Sequence, residues 1–252
     1  MPNKLPEKSK PKPAAELTPP AAPQPAFALL FQLEDIAVNG RKLTYEALAD
    51  LLGEQKGGFS AALFARRALH AAPRAFAPQL IEALGTKKIT AEKLVDELAD
   101  KLSTKLSSNS VKLDPAFMKV LQAAQAHEVA IGVVTLLPEG TAEALFNRFG
   151  FAEIGARLFP FKSEEKSYPG PDTWLKTAKA MNQRPRNCAV LCACMPVCKS
   201  ALSADMRCVA VPDELTAFQD YSGADMVLEK LDEVSPKELI TSLFPQPVPV
   251  AV

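Results

Sequence analysis

From residue 129 onward the sequence alternates short apolar runs with amphipathic stretches, and this alternation constrains the fold more than any other feature. Val129-Ala130-Ile131-Gly132-Val133-Val134 is a continuous apolar strand ending at Thr135. A helix over 138–149, closed by Gly150, follows it, then a short strand within 151–161. The next helix, over 171–181, places Trp174 and Leu175 towards the core. Cys188-Ala189-Val190-Leu191-Cys192 reads as a strand, 195–204 as its helix, and 208–211 and 226–228 as two further strands. Ser235-Pro236 caps a closing helix. Short apolar runs without internal alternation suit strands buried on both faces, so the expected class is α/β with a Rossmann-like, mainly parallel sheet.

One more such strand lies upstream. In residues 28–40 an apolar run ending at Phe31 gives way to Gln32, Glu34 and Asp35 and then to Asn39-Gly40. A buried parallel strand that delivers polar side chains to the open end of a sheet has this pattern. The next 70 or so residues are helical in period. Thr44 is the expected N-cap of a helix over 45–52, and Phe59-Ser60 opens a second. Pro73 and Pro78 mark a third, closed by Gly85, and Thr90 caps a fourth. Residues 103–109 read as a polar linker, after which Asp114-Pro115 starts a helix running to His127. The helical block is therefore expected as an insertion: a core of 27–40 and 111–244, and a helical cap of 41–110.

Composition narrows the function classes. The chain has 252 residues, 48% of them hydrophobic, with a formal net charge of zero and a pI near 6.8. No global field recruits nucleic acid or an anionic membrane, so neither is expected as a partner. No apolar run reaches the length of a membrane span. Residues 1–26 hold eight of the 22 prolines and few large apolar side chains, which reads as a disordered tail, with a short flexible tail at 245–252. All five cysteines fall between 188 and 208. A disulfide framework would spread them, and a reduced, cytoplasmic setting is expected.

Phe31-Gln32-Leu33-Glu34-Asp35-Ile36 resembles the first motif of the haloacid dehalogenase superfamily, Phe-Asp-x-Asp-Gly-hydrophobic after an apolar strand. Val133-Val134-Thr135 is similar to its second motif, and Lys166-Ser167-Tyr168-Pro169-Gly170-Pro171-Asp172 to its third, with Lys162 the rival lysine. The fourth should end a strand in paired acids, where this chain has Ala189-Val190-Leu191-Cys192-Ala193-Cys194. The resemblance covers about residues 27–234 and points to the phosphatase and phosphoglucomutase-like branch with a helical cap. It implies that Thr135 and Lys166 would hold a phosphate-like anion. It also implies that the nucleophilic Asp is replaced by Gln32, the acid/base Asp by Glu34, and the metal-binding acids by Cys192 and Ala193.

Those replacements carry a chemical consequence. An aspartyl-phosphate route needs a carboxylate nucleophile, and a neutral amide is a poor one. Mg²⁺ needs hard anionic oxygens. The expectation is accordingly a non-catalytic binding or scaffold protein without cofactor, meeting a protein partner through its tail or cap. The alternative is a hydrolase of small phosphate esters that uses other residues, with Mg²⁺. A third class is a metal or thiol protein built on Cys188, Cys192, Cys194, Cys198 and Cys208. Their C-x₃-C-x-C-x₃-C spacing departs from the paired C-x₂-C of zinc sites, and His70 and His127 are distant in sequence, so packing cysteines and no metal site are expected. Arg66, Arg67 and Arg74 on the cap read as a solvated face or an anion site, and His127 as a helix C-terminal residue.

Overall fold

The computed structural model describes residues 25–53 and 58–245; the tail readings over 1–24 and 246–252 lie outside them. β1 (Phe27–Gln32), β2 (Val129–Thr135), β3 (Arg157–Pro160), β4 (Cys188–Cys192), β5 (Arg207–Ala210) and β6 (Met226–Val227) form one six-stranded sheet in the order β3-β2-β1-β4-β5-β6. Every pairing is parallel, with Phe31 opposite Val133 on one side and Leu191 on the other. The fold is thus α/β and Rossmann-like.

Both faces of the sheet are covered. Leu29, Phe31 and Val133 pack against α5 (Pro115–Ala126), α6 (Glu139–Arg148) and α9 (Pro236–Leu243). Phe31 meets Phe117 and Phe151 edge-on, with ring centroids 4.9 and 5.6 Å away. Leu30 and Val190 face the opposite layer, α7 (Pro171–Ala180) and α8 (Met195–Ser203). Trp174 is buried there and donates to Ser200 Oγ at 2.9 Å, whereas Leu175, expected inside, is 39% exposed on the outer side of α7.

Four helices form the insertion: α1 (Gly40–Leu52), α2 (Ala61–Arg67), α3 (Pro73–Leu84) and α4 (Ala91–Ser107). They share a core of their own around Leu48, Phe64, Phe76, Leu94 and Leu98. Ser60 and Thr90 cap α2 and α4, and Gly85 closes α3 at φ 60°, as the sequence indicates. Two boundaries differ. α1 begins at Gly40, four residues before Thr44, because Asn39 adopts the left-handed region at φ 45° and accepts Lys42 N–H at 3.2 Å. Thr44 instead donates to Gly40 O at 2.8 Å within the helix. α4 runs through Ser107 and absorbs most of the expected linker, since buried Leu106 continues its apolar face.

Gly40 passes close to Glu34 where the insertion leaves the sheet. A Cβ there would stand 2.8 Å from the backbone oxygen of Glu34 and 3.2 Å from its Cβ. Gly140, in α6, has nothing within 4 Å of such a Cβ. We therefore expect opposite signs from one chemical change. Gly40→Ala should destabilise by about 1–3 kcal/mol through overpacking, while Gly140→Ala should be neutral or stabilise by up to about 1 kcal/mol. Urea denaturation of the two variants checks this.

Candidate functional site

Strand order reverses at β1, so the carboxyl ends of β1, β2 and β4 leave a crevice, the place where open α/β sheets bind ligands. The inserted helices roof it. Ala71 bridges to Lys166, and Ala72 N–H donates to Glu165 O at 2.8 Å, tying the cap to the loop after β3. Between cap and core lies a cavity of about 600 Å³. Phe64, Leu69 and Phe76 line it from above, and Gln32, Glu34 and Asp35 from below.

The polar residues after β1 are held by a single π-helical turn, Leu33–Ala37. Gln32 is buried, and its Nε2 donates to Ser167 O at 2.9 Å, so the amide is spent on the backbone of the opposite loop. Glu34 Oε1 accepts from Thr135 Oγ1 at 2.8 Å, Leu136 N–H at 2.6 Å and Leu137 N–H at 2.8 Å. Its second oxygen is buried with no hydrogen-bond partner among the described residues. Burial pushes the Glu34 carboxyl above its ordinary value, outweighing the donors that favour the anion.

Asp35 faces the other way. Its Oδ2 accepts Ala193 N–H at 2.7 Å, and its Oδ1 pairs with Arg41 Nη1. Arg41 Nη2 reaches the Asp35 backbone oxygen at 3.1 Å and Asp213 Oδ2 at 2.8 Å. The guanidinium is 9% exposed and thus sits between two carboxylates. Burial works against its charge, but attraction to Asp35 and Asp213 outweighs burial and holds it protonated. His70, from the cap, has its Nε2 2.7 Å from Gln219 Nε2, and burial together with the Arg41 charge lowers its pKa to about 4.

The structure separates several residues that the motifs group together. Thr135 and Glu34 meet, but the Thr135 hydroxyl is given to Glu34. Lys166 is exposed, its amine 5.6 Å from the Tyr168 ring centroid, and does not line the cavity; Lys162 and Arg74 do. Arg66 and Arg67 are exposed and do not line it. Ala193 contributes its backbone N–H, and the Cys192 side chain is buried beside Cys208. His127 caps α5, its Nδ1 2.8 Å from Ala123 O. Sequence reasoning missed Arg41, Asp213, His70 and Ser167. Asp213 carried one legible signal, an acid just past an apolar strand; the others act through tertiary placement alone.

The donor set does not fit Mg²⁺. Among the described residues the carboxylates at this edge are Asp35 and Asp213, both already paired with Arg41, Glu34, held by Thr135 and two amides, and the exposed Glu164 on the loop after β3. A divalent ion would have to displace a buried guanidinium.

Two outcomes follow. Arg41→Met leaves the buried Asp35 without its cation and should cost about 3–5 kcal/mol, read by chemical denaturation. Glu34, with its pKa raised on folding, binds more protons folded than unfolded above its ordinary value of 4.5. Its contribution to stability is therefore present at low pH and lost as pH rises through the folded pKa. Glu34→Gln keeps the accepting oxygen and removes the titration. Its stability relative to the parent should improve as pH rises from about 4.5, and a flat difference would contradict the assignment. His70 acts in the opposite sense but is common to both proteins and cancels.

No protein-family model matches the sequence, and no curated protein matches it. Solved structures do. CbbY from Rhodobacter sphaeroides, in complex with phosphate, superposes with a TM-score of 0.64 at 16% identity, covering 82% of this chain and 96% of that one. A HAD hydrolase, family IA, variant 3, from Entamoeba histolytica gives 0.63 at 21% identity, covering 85% and 99%. A β-phosphoglucomutase from Clostridium difficile gives 0.61 at 15% identity, covering 84% and 92%. The chain has the fold of the haloacid dehalogenase superfamily, in the form with an inserted α-helical cap.

Proposed function

We propose that the chain is a non-catalytic protein on this hydrolase fold, working by binding under its cap or by scaffolding. The observation that carries the reading is the Asp35–Arg41–Asp213 ion network standing beside an amide at position 32. Phosphoryl transfer on such a site depends on an attacking carboxylate and on cations free to stabilise developing charge. Here Gln32 supplies no anion, and Arg41 is neutralised by its neighbours.

Thiol chemistry is no better supported at the cavity. Cys194 lines it, but burial and then the Asp35 charge push its thiol well up, away from the nucleophilic thiolate. Glu34 could exchange a proton, yet nothing beside it is poised to attack. Anion capture by Thr135 and Lys166 is not part of the proposal, since the hydroxyl is committed and the amine lies outside the cavity. The walls are largely apolar, which suits a small organic ligand or an apolar side chain of a protein partner reaching under the cap.

Purified protein with Mg²⁺ should hydrolyse no member of a panel of small phosphomonoesters above background. Turnover that follows the main chromatographic peak and disappears in Gln32→Ala would overturn the proposal.

A further inference from the structure

Away from the cavity, in the core between β4, β5 and α8, three of the five thiols converge. Cys192 ends β4, Cys208 lies on β5 and Cys198 on α8. Their sulfurs all lie within 4.8 Å of one another, with Cys192 and Cys208 3.4 Å apart, and all three side chains are fully buried. Cys208 stands outside the C-x₃-C-x-C-x₃-C run, so spacing alone does not reveal the group; parallel pairing of β4 with β5 creates it.

We propose that Cys192, Cys198 and Cys208 form a trigonal thiolate site for a soft monovalent ion of the copper(I) type. Thiolates about 2.3 Å from a metal stand about 3.8–4.0 Å from one another in tetrahedral or trigonal geometry. The sulfurs here, 3.4 Å apart for Cys192 and Cys208 and within 4.8 Å for every pair, bracket that spacing. The choice of metal follows from what surrounds them. Structural zinc almost always takes four ligands, and no fourth His, Cys, Asp or Glu among the described residues joins this group. The buried cluster that holds them is largely aliphatic, with Val190, Val197, Ala201 and Ala210, and its two polar-tipped members are committed elsewhere, Tyr221 to Ala193 O and Thr216 O and Trp174 to Ser200 Oγ. Soft thiolates without hard donors favour copper(I).

On binding, each sulfur that ligates releases its proton to solvent, and the ion keeps its oxidation state. Binding would clamp β4, β5 and α8 together one residue from Ala193, whose N–H holds Asp35 at 2.7 Å.

The test uses the full chain, reduced and loaded anaerobically with copper(I) in competition with a chelator of known affinity. Wild type and Cys188→Ser, whose thiol is buried outside the trio, should each retain one ion per chain, with near-ultraviolet thiolate-to-copper absorption and a raised Tm. Cys192→Ser, Cys198→Ser and Cys208→Ser should each weaken retention at least tenfold. Circular dichroism screens their folding, and Cys198→Ala, which adds no buried hydroxyl, decides the matter if a serine variant unfolds. No retention by wild type, equal retention by the Cys198 variants, or retention of zinc in place of copper would overturn the site. None of these outcomes bears on the hydrolysis assay.

Discussion

The arrangement at the carboxyl edge of the sheet depends on one buried cation. Arg41 stands between Asp35 and Asp213, and through them it joins three segments distant in sequence: the turn after β1, the first turn of α1, and the loop after β5. A buried ion pair is weak evidence for net stability, because desolvating both partners costs nearly what their attraction returns. Its effect here is on specificity of structure. With Asp35 also accepting from Ala193 N–H, the loop after β4 is held to the loop after β1, and the crevice takes one shape.

The polar groups that line this edge are matched internally: Gln32 with the Ser167 backbone, Glu34 with Thr135 and two amides, Asp35 with Arg41. The unsatisfied Glu34 oxygen is the exception among the described residues, and its burial is what favours the neutral acid there.

Much of the fold was legible because strand and helix periods are local properties. The apolar run at 129–135, the capped starts at Ser60, Thr90 and Asp114, and the glycine at 85 each announce their element within a few residues. Thr44 misled because an N-cap was assigned by residue type, while Asn39 holds the left-handed backbone that starts the helix five residues earlier. Leu175 misled because its neighbour Trp174 already fills the inward face of α7. The site was less legible. Gln32, Glu34 and Ala193 could be placed by motif, but Arg41 and Asp213 meet across 172 residues, and no local pattern encodes that pairing. Lys166 has the sequence position of the motif lysine, while its amine lies over the Tyr168 ring and Lys162 lines the cavity.

The central claim of the proposed function is that Arg41 balances the carboxylates at this edge, so that no divalent metal binds there. Titration of Mn²⁺, followed by water-proton relaxation with Mg²⁺ as competitor, tests it most directly. The account predicts no saturable site on the wild-type chain. Binding of one Mn²⁺ per chain, displaced by Mg²⁺ and abolished by Asp35→Asn, would contradict it.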